Sequence, residues 1–295
     1  MRLSLLLAIS LLPLTGVEML ALARQNPTSE EIRRRFPQHW KPIRVDRMKA
    51  FLSDANNNHV VFLGMEGYPS MLAEEENPPF RLFYRGRLPR NDEPMLSICG
   101  TRKADLRGES SSYALALEAG ANGVSVVCSH SQGIDRAALY ASLDGKFTAF
   151  VPCDCGLDTP RILKNRNLKA MNLISAFEPD DAPLRYRCLS RNVLTAALSP
   201  LLVVVEAPLR SGALHCASLA LDMGRAVVVH HSGLRALPWC GGTRLLAEDG
   251  CPVVSSYSEI ASFLGYAQTR KVIPAANDRV LYRYGNSCYS LSHGT

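Results

Sequence analysis

The fold is decided by Leu201-Leu-Val-Val-Val-Glu-Ala207, Pro208-Leu-Arg-Ser-Gly212 and Ala213-Leu-His-Cys-Ala-Ser-Leu-Ala-Leu-Asp-Met-Gly-Arg225, three segments read without a break. The first is a continuous β-branched run, the pattern of a strand buried on both faces of a parallel sheet. Pro208 forbids its continuation as a central strand. Ser211 is a helix N-cap, and Gly212 lets backbone approach closely. Apolar residues at helical spacing then run to Met223, with Gly224 as the C-terminal stop. Such strand–turn–helix units place their turns at the carboxyl edge of an α/β sheet, where ligands bind. Helix N-terminal N–H groups beside Arg210 suit an anion, most simply a phosphate.

The same alternation extends in both directions. Strands are expected at Met95–Cys99, Val124–Cys128, Phe147–Pro152, Leu173–Phe177, Ala226–His230 and Pro252–Val254. Helices are expected at Gly108–Gly120, Gly133–Leu143, Arg191–Leu198, Gly241–Ala247 and from Ser258. This predicts an α/β fold, an extended Rossmann-like parallel sheet with helices on both faces. Two further strands, His59–Gly64 and Phe80–Gly86, precede it. The expected organisation is a small helical domain over residues 1–50, the Rossmann-like domain over 51–265, and a tail over 266–295 without periodic pattern.

The N-terminus admits two readings. Arg2, the apolar run Leu3–Leu14 and Ala21-Leu-Ala23 imitate a secretory signal, although the run is too short to span a membrane. The same residues also fit two short helices about a Pro13-Leu-Thr-Gly16 turn, with Thr28-Ser-Glu-Glu31 as a capping box for a third. The odd count of 9 cysteines argues against an oxidised, stapled chain and favours a cytoplasmic protein. A hydrophobic fraction of 47% supplies a full core and excludes disorder. The net charge of +6 is compatible with a polyanionic partner without requiring one.

Three turns carry small, hydroxylic or cationic residues: Gly100-Thr101-Arg102-Lys103, Ser129-His130-Ser131-Gln132-Gly133 and Arg210-Ser211-Gly212. Converging on one sheet edge, they supply phosphate-binding chemistry, to which Arg191-Asn192, just before an apolar helix, can add. No P-loop, G-x-G-x-x-G or G-x-S-x-G motif is present, which removes the common ATPase, dinucleotide and serine-hydrolase classes. Cys153-x-Cys155 and the scattered histidines lack the spacing of a metal site, so neither metal nor cofactor is expected.

The order of motifs resembles the DprA/Smf family of bacterial DNA-processing proteins. The matching residues are Tyr68-Pro69, Tyr84-Arg-Gly86, Gly100-Thr-Arg102, Gly133-Ile-Asp135, Gly156-Leu-Asp158, Arg191-Asn192, Val203-Val-Val-Glu-Ala207, Ser211-Gly212 and Gly241 with Leu245-Leu246. The N-terminal leucine-rich turn also resembles that family's small helical domain. The resemblance implies a non-enzymatic protein that binds single-stranded DNA, forms a homodimer, and loads the RecA recombinase during recombination or natural transformation. It implies a DNA site at Gly100, Thr101, Arg102, Arg191, Asn192, Ser211 and Gly212, with Arg210, Lys164 and Arg166 in support. It implies no membrane association, and a member without the winged-helix domain that many relatives carry at the C-terminus.

Departures fall in the pocket: Cys128-Ser129-His130-Ser131 stands for Ser-Gly-x-Ala, Val193 for the last arginine of Arg-Asn-Arg, and Thr243 for an asparagine. Two other classes stay open. One is a nucleotide-processing enzyme, an N-glycosidic hydrolase with Glu206 as its carboxylate. The other is an interaction protein that has lost DNA.

Overall fold

A computed structural model describes residues 2–154, 156–157, 171–181 and 184–264, together with the backbone of 280–284 and 287–291. The chain opens with four helices: α1 (Leu3–Ile9), α2 (Gly16–Arg24), α3 (Ser29–Arg35) and α4 (Pro42–Leu52). Thr15 and Thr28 cap α2 and α3 in full capping boxes with Glu18 and Glu31. The run that imitates a signal sequence is thus folded structure, with Leu5–Ile9 of α1 buried. Among the described residues no helix is long and apolar enough to cross a membrane.

Then come β1 (His59–Phe62), α5 (Ser70–Ala73), β2 (Arg81–Arg85), β3 (Met95–Cys99), α6 (Leu106–Ala121), β4 (Ser125–Val127), α7 (Ile134–Gly145), β5 (Ala149–Pro152) and β6 (Met171–Ser175). The second half runs α8 (Arg185–Ala197), β7 (Leu201–Val204), α9 (Gly212–Asp222), β8 (Ala226–His230), α10 (Gly241–Glu248), β9 (Val253–Val254) and α11 (Tyr257–Leu264). The segment expected as a patternless tail contains an antiparallel pair, β10 (Val280–Tyr284) and β11 (Ser287–Leu291).

The main sheet has 9 strands in the order β1-β2-β6-β5-β4-β3-β7-β8-β9. It is mixed rather than wholly parallel. From β6 to β9 all neighbours are parallel, while β1 and β2 add antiparallel at one edge. A parallel pair needs a crossover, usually helical. Between β1 and β2 the only helix is the four-residue α5, so the chain turns back on itself.

The order reverses at β3. The chain moves outward through β4, β5 and β6, then returns to lay β7 on the opposite side of β3. With right-handed crossovers, the pair α6 and α7 covers one face and the pair α8 and α9 the other. The turns after β3 and β7 therefore part, opening a crevice at the carboxyl edge.

The N-terminal helices share one hydrophobic core with the sheet, from Leu7, Ile9 and Met48 to Phe83, Leu96 and Ile98. Gly16 makes this docking possible. A Cβ there would lie 1.8 Å from the Pro78 carbonyl oxygen, and the Gly16 N–H donates to Asn77 Oδ1 at 3.2 Å.

Candidate functional site

The crevice is a cleft of about 1210 Å³. Its floor is the turn after β3 (Gly100, Thr101, Arg102), and beside it lies the turn after β4 (His130, Ser131, Gln132). One wall is α8, through Leu184, Cys188, Leu189, Arg191 and Asn192. The other is the turn after β7 with the start of α9, through Arg210, Ser211 and Gly212. Eight of the ten residues expected at the site thus come together on one surface. Lys164 and Arg166 lie outside the described residues.

A buried carboxylate sets the positions of the two floor turns. Asp135, in the first turn of α7, accepts from the Gly100 N–H at 3.2 Å, the Ser129 N–H at 3.2 Å and the Ser129 hydroxyl at 2.6 Å. Burial raises its pKa, opposed by the charge of Arg191 and by these donors. Its role at the helix start is therefore to clamp two loops. Gly133 precedes it with φ +76°, and a Cβ there would lie 2.2 Å from the Thr101 carbonyl oxygen. Only glycine lets the two turns approach this closely.

Arg191 is 5% exposed. Its Nη2 donates to Ser131 Oγ at 3.2 Å, and Nε has no partner. No carboxylate lies within 4.0 Å of it among the described residues. Helix α8 begins six residues earlier than expected, at Arg185, so Arg191 and Asn192 stand in its second turn rather than ahead of it. The Asn192 amide donates to the Gly212 carbonyl at 2.9 Å and ties the two walls together.

Ser211 caps α9 as expected, its hydroxyl accepting from the Leu214 N–H at 3.1 Å. Arg210 is exposed and held at φ +55°, a left-handed conformation uncommon for a non-glycine residue. Arg102 is exposed on the floor.

A second cluster on the wall was not evident from sequence. Asp154 follows β5, accepts from the Cys188 thiol at 2.7 Å, and lies 3.8 Å from His130 Nε2. Burial raises the Cys188 pKa, with the adjacent carboxylate adding to it, and burial lowers that of His130. Both effects favour the neutral forms, so this cluster is a polar wall rather than an activated nucleophile. The only signal for Asp154 was its place just beyond a strand end. Cys153 of the C-x-C pair is buried in the core, and Cys155 lies outside the described residues. No group of three or more metal-ligating side chains exists among the described residues.

Glu206 does not line the cleft. It is fully buried, held by Arg235, which also grips Asp105 through two bonds of 2.7 and 2.8 Å. Burial pushes its carboxyl up to about 7, beyond the opposing pull of Arg235. The native state therefore takes up a proton between about pH 4.5 and 7 that the unfolded chain has released. The stability this supplies is complete below pH 4.5 and is lost as pH rises through 7. Asp105, whose pKa Arg235 lowers, acts in the opposite sense at lower pH. Between pH 5.5 and 8 the wild type should therefore lose about 1–3 kcal/mol more stability than Glu206→Gln. Urea unfolding of both proteins at the two pH values tests this, and equal losses would remove Glu206 from the balance.

The fold has known counterparts. The family model of DNA recombination-mediator protein A matches residues 59–265. The Smf protein of Borreliella burgdorferi is 28% identical over 212 residues, 70% of this chain and 66% of its own. Smf of Escherichia coli K12 is 30% identical over 216 residues, 71% of this chain and 58% of its own. A putative DNA processing protein DprA of Mycobacterium tuberculosis is 34% identical over 175 residues, 58% of this chain and 45% of its own. The chain thus spans about half to two thirds of the length of these relatives.

Among solved structures, DNA processing protein A of Streptococcus pneumoniae superposes with a TM-score of 0.67 at 24% identity, over 77% of this chain and 80% of that one. The Helicobacter pylori protein, described for its single-stranded DNA binding mode, superposes with a TM-score of 0.57 at 24% identity, over 70% and 94%. Both share the Rossmann-like fold described above. With the family model covering most of its length, the chain belongs to the DNA recombination-mediator protein A family, DprA/Smf.

Proposed function

We propose that this protein binds single-stranded DNA by its phosphates in the carboxyl-edge cleft and, as a homodimer, delivers that strand to the RecA recombinase in recombination or DNA uptake. The observation that carries the DNA part is Arg191: a buried guanidinium, without an ion pair among the described residues, in a cleft that also holds Arg102 and Arg210. A buried cation is stable when a partner completes it. Thr101, Ser211, Asn192 and the N–H groups at the start of α9 provide neutral donors beside it. Leu184 and Leu189, each 44% exposed on the wall, offer apolar surface to bases. Family membership supports the recombinase and dimer parts of the reading. Neither Glu206, turned away into the Arg235 pairing, nor the His130–Asp154–Cys188 cluster, whose thiol and imidazole are both held towards their neutral forms, supports a hydrolytic alternative.

Anisotropy titrations of a labelled oligothymidylate at several salt concentrations test the DNA reading. Each phosphate contact contributes a slope of about −0.7 in log affinity against log salt. Arg102→Ala should lose about 1–2 kcal/mol of binding, roughly five- to thirty-fold, and about 0.7 of slope, with folding unchanged because the side chain is exposed. The same affinity and slope as wild type would exclude Arg102 from the site.

A further inference from the structure

The charge of the chain is concentrated at one end. Residues 1–50 hold nine Lys and Arg against four Asp and Glu, a net of +5 out of +6 for the whole chain. Much of it lies on α3 and the start of α4. Arg33 is close to Glu30 at 3.8 Å, while exposed Arg34, Arg35 and Lys41 have no ion pair among the described residues. Phe36 and Trp40, which stand between them, are only partly buried.

This surface is joined to the wall of the cleft. Arg44 of α4 donates from Nε to Glu178 at 3.0 Å, and Arg47 from Nη1 to Asp180 at 3.2 Å. Both acidic residues belong to the segment between β6 and α8. Asp181, next in line, accepts from Arg187 of α8 at 2.8 Å. Glu178, Asp180 and Asp181 are thus each paired with an arginine. Helix α8 carries on from there to Leu189, Arg191 and Asn192 in the cleft. From the cleft the sheet runs β7, β3, β4, β5, β6 and on to β2 and β1, and the arginines of α4 pair with the segment that leaves the carboxyl end of β6.

We propose that α3 and the start of α4 form a second phosphate-binding surface, which holds the continuation of a single strand leaving the cleft past β6. The inference rests on the DNA reading above and extends it. Charge complementarity selects the occupant: a flexible polyanion gains from exposed cations that hold no ion pair among the described residues, Arg35 lying over the Phe36 ring. The half-buried aromatic rings beside them suit unstacked bases.

The test uses the full chain with two oligothymidylates, one of about six nucleotides and one of about thirty, chosen around the footprint of one small binding module. The triple variant Arg34→Ala/Arg35→Ala/Lys41→Ala should bind the short strand as wild type does. It should bind the long strand roughly tenfold more weakly, with about 2 less salt slope, as three lost phosphate contacts require. Unchanged long-strand affinity and slope would overturn the second surface while leaving the cleft standing, as would equal losses on both strands. Wild-type protein that binds neither strand would overturn the cleft reading and this surface with it. The three side chains are exposed, so thermal unfolding of the variant should match wild type.

Discussion

Replacing Asp135 by alanine is expected to cost the fold about 3–5 kcal/mol, the range for removing one partner from a buried charged network. The carboxylate is fully buried and holds donors from two loops that are 29 residues apart in sequence, Gly100 and Ser129. Alanine leaves those donors without their acceptor, each worth about 1–3 kcal/mol. Asp135→Asn should cost less, about 1–3 kcal/mol, because one amide oxygen still accepts while the amide nitrogen meets an N–H on the other side. Urea unfolding gives the stabilities, and native-state hydrogen exchange should show the Gly100 and Ser129 amides losing protection first. A midpoint for Asp135→Ala equal to that of wild type would mean that the loops are held by something else. Since the same loops carry Thr101, Arg102 and Ser131, DNA affinity should fall even under conditions where the variant remains folded.

The elements that were legible in sequence are those set by local chemistry. Leu201–Val204, Ser211 and the stripe to Met223 define strand, cap and helix within one window, and the structure has them there. Gly133 was legible as the start of a helix, and the structure has it there as the residue before α7, at φ +76°. What sequence hid are the features that depend on distant partners. The antiparallel placement of β1 and β2 is set by pairing with β6, some ninety residues away from β2. The opening residues of α8 (Arg185-Tyr-Arg-Cys-Leu-Ser190) have no apolar stripe of their own and start without a side-chain cap. They are held instead by Arg187 on Asp181 and by Cys188 on Asp154. Asp154 shows nothing in sequence beyond its place after a strand, because its significance lies in what α8 brings to it.

That displaced helix start leads to the second large effect. Placed ahead of the helix, Arg191 would be one more loop cation. In the second turn of α8 its side chain is instead buried against Ser131, with a single hydrogen bond and no carboxylate within 4.0 Å among the described residues. Arg191→Met removes that charge and keeps most of the volume. Two consequences for stability oppose each other. Relief of a desolvated cation stabilises the fold, and loss of its attraction for the buried Asp135 destabilises it. The net should lie within about 1 kcal/mol. Binding has no such compensation. A charge-assisted bond to a phosphate is worth about 1.5–3 kcal/mol, so affinity for an oligothymidylate should fall roughly ten- to a hundredfold. The salt slope should shrink by about 0.7. Arg191→Lys keeps the charge without the planar fork and should fall between the two, with the wild-type slope restored. The contrary pattern, a fold weakened by more than 2 kcal/mol with DNA affinity intact, would make Arg191 a structural counter-charge to Asp135. The cleft would then have to bind through Arg102 and Arg210 alone, two exposed cations that salt screens far more readily.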